Sequence, residues 1–430
     1  MRHALFSNAM KTTATIGLAL AALSPVWAQD APAPPAPPTP PATTDQGPGP
    51  ATQPPAAPGT TQPGPTQPAA TPPPNYKIQY NGLIDGYLQY SLQNPHGTQL
   101  GVNGATGAYN ASIKTPTLQL AELNVFNNPK PGGFAFKTTL IAGATADQNH
   151  ANYNAQTGGA NGGTSEAQFK NIQQLYGTYA FAGAGGGIDI GKFYTPFGYE
   201  VTEANGNYNY TRSLPYNLLP IYHAGIRAYT PSFKGLVVTG YVVNDIFNTA
   251  TEGVHHQGNY GGIGQLNYTD PKGKFTAIGT LGFGKDMLGV KTKVTVNDDD
   301  FTYNLNAKQL VGLNYTYVQL KPDDSTPKTT ANGYAAYYRQ QLTPKTAAAL
   351  RFSGYSAKTD GTSAFGSSTL RPYEVTLTYE YKAAANLTTR LEYRHDNSNQ
   401  DDYLGDNDST YTGPTKKNED LLLLAGMFTF

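Results

Sequence analysis

The stretch YEVTLTYEYKAAANLTTRLEYRHD, residues 373–396, decides the fold. Two runs flank the small-residue joint Ala383-Ala384-Ala385-Asn386. In the first, Tyr373, Val375, Leu377, Tyr379 and Tyr381 share one parity, and Glu374, Thr376, Thr378, Glu380 and Lys382 share the other. In the second, Leu387, Thr389, Leu391 and Tyr393 alternate with Thr388, Arg390, Glu392, Arg394 and Asp396. A period of two is the mark of a strand, so the stretch reads as a hairpin with ions on one side and tyrosine and leucine on the other. A soluble sheet would set its apolar side on a core. A transmembrane barrel would set it on lipid.

The same period recurs through most of the chain. In YKIQYNGLIDGYLQYSL (76–92), Ile78, Tyr80, Ile84, Leu88, Tyr90 and Leu92 share one parity. Lys77, Gln79, Asn81, Asp85, Gln89 and Ser91 share the other. At ~3.3 Å per residue and a tilt near ~45°, Tyr80 and Tyr90 sit roughly 23 Å apart along a membrane normal, close to the ~25 Å apolar band that aromatic girdles bound in outer-membrane barrels. Further runs lie at 118–126, 134–144, 171–181, 222–229, 236–243, 262–268, 275–284, 311–317, 334–342, 348–355 and 421–430. Connections alternate in length. Short ones fall at 182–187, 230–235, 269–274, 342–346 and 382–386, and long polar ones at 93–114, 146–167, 195–221, 244–259 and 397–419. That is the asymmetry of short periplasmic turns and long extracellular loops.

Both chain ends on the periplasmic side require an even strand number. The phase breaks around 285–310, and a strand ending in Phe301-Thr302-Tyr303-Asn304-Leu305, with a tight turn near Lys308, repairs it. The expected fold is therefore all-β, a transmembrane antiparallel up-and-down barrel of about sixteen strands, with about fourteen as the fallback.

Three arguments favour lipid over a core. The chain stops on Phe430, with Phe428, Leu424 and Leu422 on the same parity, a pattern the barrel assembly machinery reads in similar proteins. An open sheet cannot sit in lipid, because each unpaired backbone group there costs several kcal/mol, so membrane residence implies closure. An Arg on the lipid side near mid-bilayer costs ~2–4 kcal/mol, so Arg390, Glu392, Arg394 and Asp396 should face inward and line water inside the tube.

Bulk composition agrees. The chain has 430 residues, no cysteine, and 29 basic against 29 acidic side chains, so nothing recruits nucleic acid. Only 13% of residues are charged, against about 25% in typical soluble domains, while Gly (47) and Tyr (31) are abundant. No run is long and apolar enough for a transmembrane helix.

Arg2, His3 and Lys11, the apolar run Ala14–Leu23 and Val26-Trp27-Ala28 read as a signal peptide over 1–28. Residues 29–75 read as a disordered Pro/Ala/Thr-rich linker placed in the periplasm, reaching at most ~145 Å as polyproline II. The barrel is expected from 76 to 430, in the cell outer membrane.

Several stretches resemble the β-barrel porins of the OmpL-like group: GKFYTPFGYE (191–200), YNYTRSLPY (208–216), HAGIRAY (223–229), GYAAYYRQQLTPKTAAALRFSGY (333–355) and TRLEYRHD (389–396). The resemblance runs in order from about Tyr76 to Phe430, and it implies an outer-membrane channel for small solutes. Two features depart from it. One is the proline-rich arm. The other is Phe-Ser-Gly-Tyr after Arg351, where the resemblance implies a carboxylate.

The 195–221 connection carries Glu200, Glu203 and Arg212. Folded inward, it would set a constriction with its carboxylates facing wall residues Arg227, Arg339, Arg351, Arg390 and Arg394, while Glu374, Glu380, Glu392 and Asp396 complete the lumen charges. Opposed charges across a bore sort solutes by charge and dipole. Inward Tyr87, Tyr241, Tyr337 and Tyr355 offer a stacking track for sugars, although packing is the commoner fate of such rings.

Other motifs carry less. GTLGFGKD (279–286) lacks the Ser or Thr and the helix of a phosphate loop. His255-His256 lacks a third ligand. Asp298-Asp299-Asp300 and DDYLGDND (401–408) read as solvated acidic turns. No cofactor or metal is implied. His395, Asp396 and Ser398 are the best cluster for a barrel hydrolase, but His395 and Asp396 point to opposite faces. The leading reading is a porin for passive diffusion of small hydrophilic solutes or ions. A non-conducting surface adhesin and a hydrolase are the alternatives, and homo-oligomers are common in the class.

Overall fold

The computed structural model describes residues 77–95, 109–149, 170–183, 185–247, 260–288, 290–324, 327–360, 368–405 and 415–430. The expected signal peptide and linker, and His255-His256, lie outside them.

Alternation builds seventeen strand segments. They are β1 (Gln79–Ser91), β2 (Thr117–Phe126), β3 (Phe134–Ala142), β4 (Ile172–Ala180), β5 (Gly187–Tyr194) and β6 (Tyr222–Tyr229). There follow β7 (Leu236–Val243), β8 (Gly261–Thr269), β9 (Phe275–Leu288), β10 (Val290–Asn306), β11 (Gln309–Pro322) and β12 (Thr329–Thr343). The last are β13 (Thr346–Thr359), β14 (Ser368–Leu370), β15 (Tyr373–Ala384), β16 (Leu387–Asn397) and β17 (Asn418–Thr429). Both β14 and β15 pair with β13, and they continue one another across Arg371-Pro372. Proline cannot donate to the ladder, which explains the break. The segments therefore make sixteen strands, the larger of the two expected numbers. The tight turn falls at Ala307-Lys308, where the phase argument put it.

Each strand pairs antiparallel with its sequence neighbours, and β1 closes the sheet by pairing with both β2 and β17. At the seam Gly82 N–H donates to the Phe430 carbonyl at 3.0 Å, and Phe430 N–H returns to the Gly82 carbonyl at 3.1 Å. A Cβ on Gly82 would lie 2.3 Å from the Phe430 ring, so this glycine makes the room for closure. A closed ladder leaves no edge for hydrocarbon to strand.

The outward face follows the expected parity. Tyr373, Val375, Leu377, Tyr379, Tyr381, Leu391 and Tyr393 are exposed, as are Ile78, Tyr80, Ile84, Tyr90 and Leu92. So are Leu422, Leu424, Phe428 and Phe430. Asp298-Asp299-Asp300 is not a turn but the middle of β10, with Asp298 and Asp300 buried inside and Asp299 outside.

The inner face holds a surprise in its composition. Leu423, Ala425 and Met427 of β17 point inward and pack with Leu83, Tyr87, Leu120 and Ile141, while Leu421 packs with Ile113. A second apolar cluster includes Val294, Val296, Val318, Leu320 and Ala331. These walls are covered from within by α1 (Ala144–Asn149) and by residues 195–221.

Candidate functional site

Residues 195–221 enter the barrel and strap themselves to its wall. Two short 3₁₀ turns, Ala204–Gly206 and Pro215–Leu218, give the segment its bends. Proline at the start of the second presets its φ and forgoes an N–H that a first turn would leave unpaired.

Apolar anchors hold it first. Phe197, Leu214, Leu218 and Leu219 are sealed in the larger cluster, and Ala204 and Tyr210 in the one beside β17. Three wall glycines form sockets for them. A Cβ on Gly282 would lie 2.6 Å from the Phe197 ring, one on Gly312 would lie 2.1 Å from the Tyr199 hydroxyl, and one on Gly333 would lie 2.9 Å from Pro215.

Polar contacts then fix the register of the segment. Arg351 of β13 donates from Nη1 to Glu200 Oε1 at 2.9 Å and from Nε to Glu374 Oε1 at 2.7 Å, and it also bonds the Thr211 carbonyl. Arg390 of β16 donates to the carbonyls of Ala204 (2.6 Å), Asn207 (2.6 Å) and Asn209 (3.2 Å), with Glu380 at 2.7 Å. Arg394 donates to the Arg212 carbonyl at 2.6 Å and to both Asp396 oxygens at 2.7 Å. Glu392 accepts the backbone N–H groups of Tyr210 (2.6 Å) and Thr211 (2.9 Å). Ser353 stands in the Phe-Ser-Gly-Tyr stretch after Arg351, where the resemblance implied a carboxylate. Its Oγ accepts the Leu214 N–H at 3.0 Å and donates to Glu374. A buried guanidinium is tolerated only when its donors are met, and here the backbone of the segment meets them.

This arrangement corrects the picture of wall ions bathed in water. Arg351, Glu374, Arg394, Glu392 and Asp396 are all sealed beneath the segment. The inward tyrosines are packed rather than arrayed as a track. Tyr337 stacks on Tyr199 of the segment at 4.5 Å, Tyr87 meets Tyr210 at 5.7 Å, and Tyr241 meets Phe193 at 5.9 Å, while Tyr355 joins the larger cluster.

The three charged residues of the segment part company. Glu200 stays on the Arg351 wall and also accepts the Ser213 N–H at 2.7 Å. Arg212 turns on its own segment, donating to the carbonyls of Val201, Thr202 and Tyr210. Glu203 leaves the arginine wall and bonds the Tyr194 hydroxyl of β5. Partly open to solvent are Arg339 and Glu380, paired at 3.1 Å with side chains 24% and 21% exposed. Arg227 pairs at 2.6 Å with Asp189, a carboxylate that the sequence reading passed over although GIDIGKF alternates. Half-buried Glu203, exposed Asn205 and Gly206, and half-buried Tyr208 make the open edge of the segment.

The hydrolase cluster does not assemble. His395 Nδ1 lies 2.8 Å from Asp420 Oδ1 on the outer wall, Asp396 is sealed inside, and Ser398 bonds Asp402. Among the described residues no group of His, Cys, Asp and Glu fits a metal ion.

A sequence profile described as "Putative beta-barrel porin-2, OmpL-like" matches residues 77–430. No curated protein matches this sequence. Solved structures of similar fold include the anion-selective porin from Comamonas acidovorans, 14% identical, covering 83% of this chain and 100% of that one, with a TM-score of 0.53. Another is the outer membrane channel DcaP of Acinetobacter baumannii, 11% identical, covering 84% and 99%, with a TM-score of 0.53. A third is the trimer form of OmpT from Vibrio cholerae, 11% identical, covering 82% and 99%, with a TM-score of 0.53.

Proposed function

The chain belongs to the OmpL-like β-barrel porin family, and from that premise we propose that it forms a water-filled channel for passive diffusion of small hydrophilic solutes or ions. The observation that carries this reading is the strapped segment 195–221. It occupies the arginine side of the bore through Arg351, Arg390 and Arg394 and turns Glu203, Asn205, Gly206 and Tyr208 along its partly solvated edge. The aperture would lie between that edge and wall residues that keep solvent contact, among them Arg339, Glu380 and Lys137. Such a rim carries both signs, so it sorts solutes by size first and by dipole second.

On this reading the long connections face the exterior and the arm of residues 29–75 stays in the periplasm. Leu422, Leu424, Phe428 and Phe430 would be the strand offered to the assembly machinery. Self-association belongs to the same proposal, since one neighbour of this fold is a trimer.

Liposome swelling tests it. Vesicles carrying the full chain should swell in a small neutral sugar and progressively less as the sugar lengthens. No swelling in any sugar or salt would point instead to a non-conducting adhesin.

A further inference from the structure

The outer wall of β9–β13 is layered. On β11 the outward residues run Leu313 and Tyr315, then Tyr317 and Gln319, then Lys321. On β12 they run Tyr334, then Asn332 and Thr330, with Lys328 just before the strand, and β10 passes from Tyr303 and Phe301 through Asp299, Asn297 and Thr295 to Lys293 and Lys291. Apolar and aromatic side chains give way to amides and hydroxyls, and these to lysine. The order holds on β11 and β12, exposed Asp299 interrupts it on β10, and Lys285 of β9 and Lys358 of β13 extend the top layer.

That top layer is wired against itself. Lys293 stands directly across from Lys285 on one side and from Lys321 on the other. Like charges in directly opposed positions destabilise a sheet. Asp323 serves this row, lying 3.7 Å from Lys285 and 3.6 Å from Lys293. Asp360 is likewise shared between Lys328 at 3.7 Å and Lys358 at 3.2 Å. Of the six lysines in this layer, Lys285, Lys293, Lys328 and Lys358 pair with Asp323 or Asp360, and exposed Asp324 lies beside Asp323. The inner residues at the same height, Thr292, Val294 and Leu320, are buried, so the ammonium groups point away from the bore.

We propose that this lysine row seats the phosphate of a lipid headgroup in the leaflet that wets the upper edge of the barrel. Acyl chains would lie on the aromatic layer, the polar linkage on the amide and hydroxyl layer, and the phosphate among Lys285, Lys293 and Lys321. Anionic headgroups attract clustered lysines near a membrane surface, and the layering supplies the depth match. The inference rests on the proposed orientation, with the long connections outward.

Native mass spectrometry of the folded full chain in neutral detergent tests it, using dioleoyl phosphatidic acid, dioleoylglycerol and inorganic phosphate as probes. The wild type should bind phosphatidic acid at least roughly tenfold more tightly than dioleoylglycerol, as expected for clustered lysines at an anionic surface. Lys285→Gln/Lys293→Gln/Lys321→Gln should lose that preference, and the triple Lys→Arg variant should keep it, with heat-modifiable migration confirming that both are folded. Equal binding of the two lipids, an unchanged Lys→Gln variant, or displacement by inorganic phosphate at lipid concentration would overturn it. The readout needs no bilayer, so its failure leaves the channel reading standing, and a silent channel leaves the lipid site standing.

Discussion

Arg351 Nη1 of β13 stands 2.9 Å from Glu200 Oε1 of the inward segment, and both side chains are all but sealed from water. The pair joins two parts of the chain 151 positions apart. It also ties the segment to a wall that already holds Glu374.

Breaking that pair should release the segment. Arg351→Ala strands two buried carboxylates, Glu200 and Glu374, and removing one partner of a buried pair costs about 3–5 kcal/mol. The expected outcome is a lower heat-modification midpoint together with larger and noisier single-channel steps. A variant with the midpoint and conductance of the wild type would separate this contact from the constriction.

The glycine sockets make a second prediction. Gly312→Leu would drive a side chain into the Tyr199 hydroxyl and break its 2.9 Å hydrogen bond with Thr302. Overpacking of this kind costs about 1–3 kcal/mol. Adding Tyr199→Ala should recover much of the loss, and a double-mutant cycle reads the coupling. Additive effects would mean that the two residues do not compete for one space.

Selectivity should follow the half-open charges rather than the sealed ones. Arg339→Gln removes a partly solvated guanidinium that pairs with Glu380, at a stability cost within about 1 kcal/mol. The zero-current potential in a salt gradient should shift toward cation preference. No shift would place the narrowest point elsewhere.

Asp402 gives a pH dependence outside the membrane. It lies after β16, and burial pushes its carboxyl above the usual range, against the hydrogen bond from Ser398. A raised folded pKa means that the folded segment holds its proton more tightly than the open one. Its stability is therefore greatest in acid and falls as pH rises from the ordinary carboxylate range through the folded value. Amide exchange at Tyr403, whose N–H donates to the Lys416 carbonyl at 2.9 Å, should quicken over that window and lose the effect in Asp402→Asn.

The lipid face could be read from the chain because one parity and one chemistry coincide there, as at Tyr373, Leu377 and Tyr381. Strand number followed from phase and from the tight turn at Lys308. The filling of the bore was less legible. Leu421 to Leu424 are apolar on both parities, a sign of burial on both faces, yet period two alone marks only one face as apolar. Arg351, Arg390 and Arg394 sit on the inward parity of their strands, but their partners carry no mark in the chain. Arg390 reaches carbonyls 181 to 186 positions away, and a backbone carbonyl has no letter in the sequence. Gly282, Gly312 and Gly333 carried the missing signal. They are inward glycines on strands with no turn to make, and such positions mark a close approach by something else.

Planar-bilayer conductance tests the central claim most directly, comparing the full chain with a variant in which residues 201–210 are replaced by a short glycine bridge. A water-filled barrel narrowed by its own strapped segment predicts discrete steps for the wild type and several-fold larger steps for the shortened chain. Folded proteins that give equal steps, or no steps from either, would contradict it.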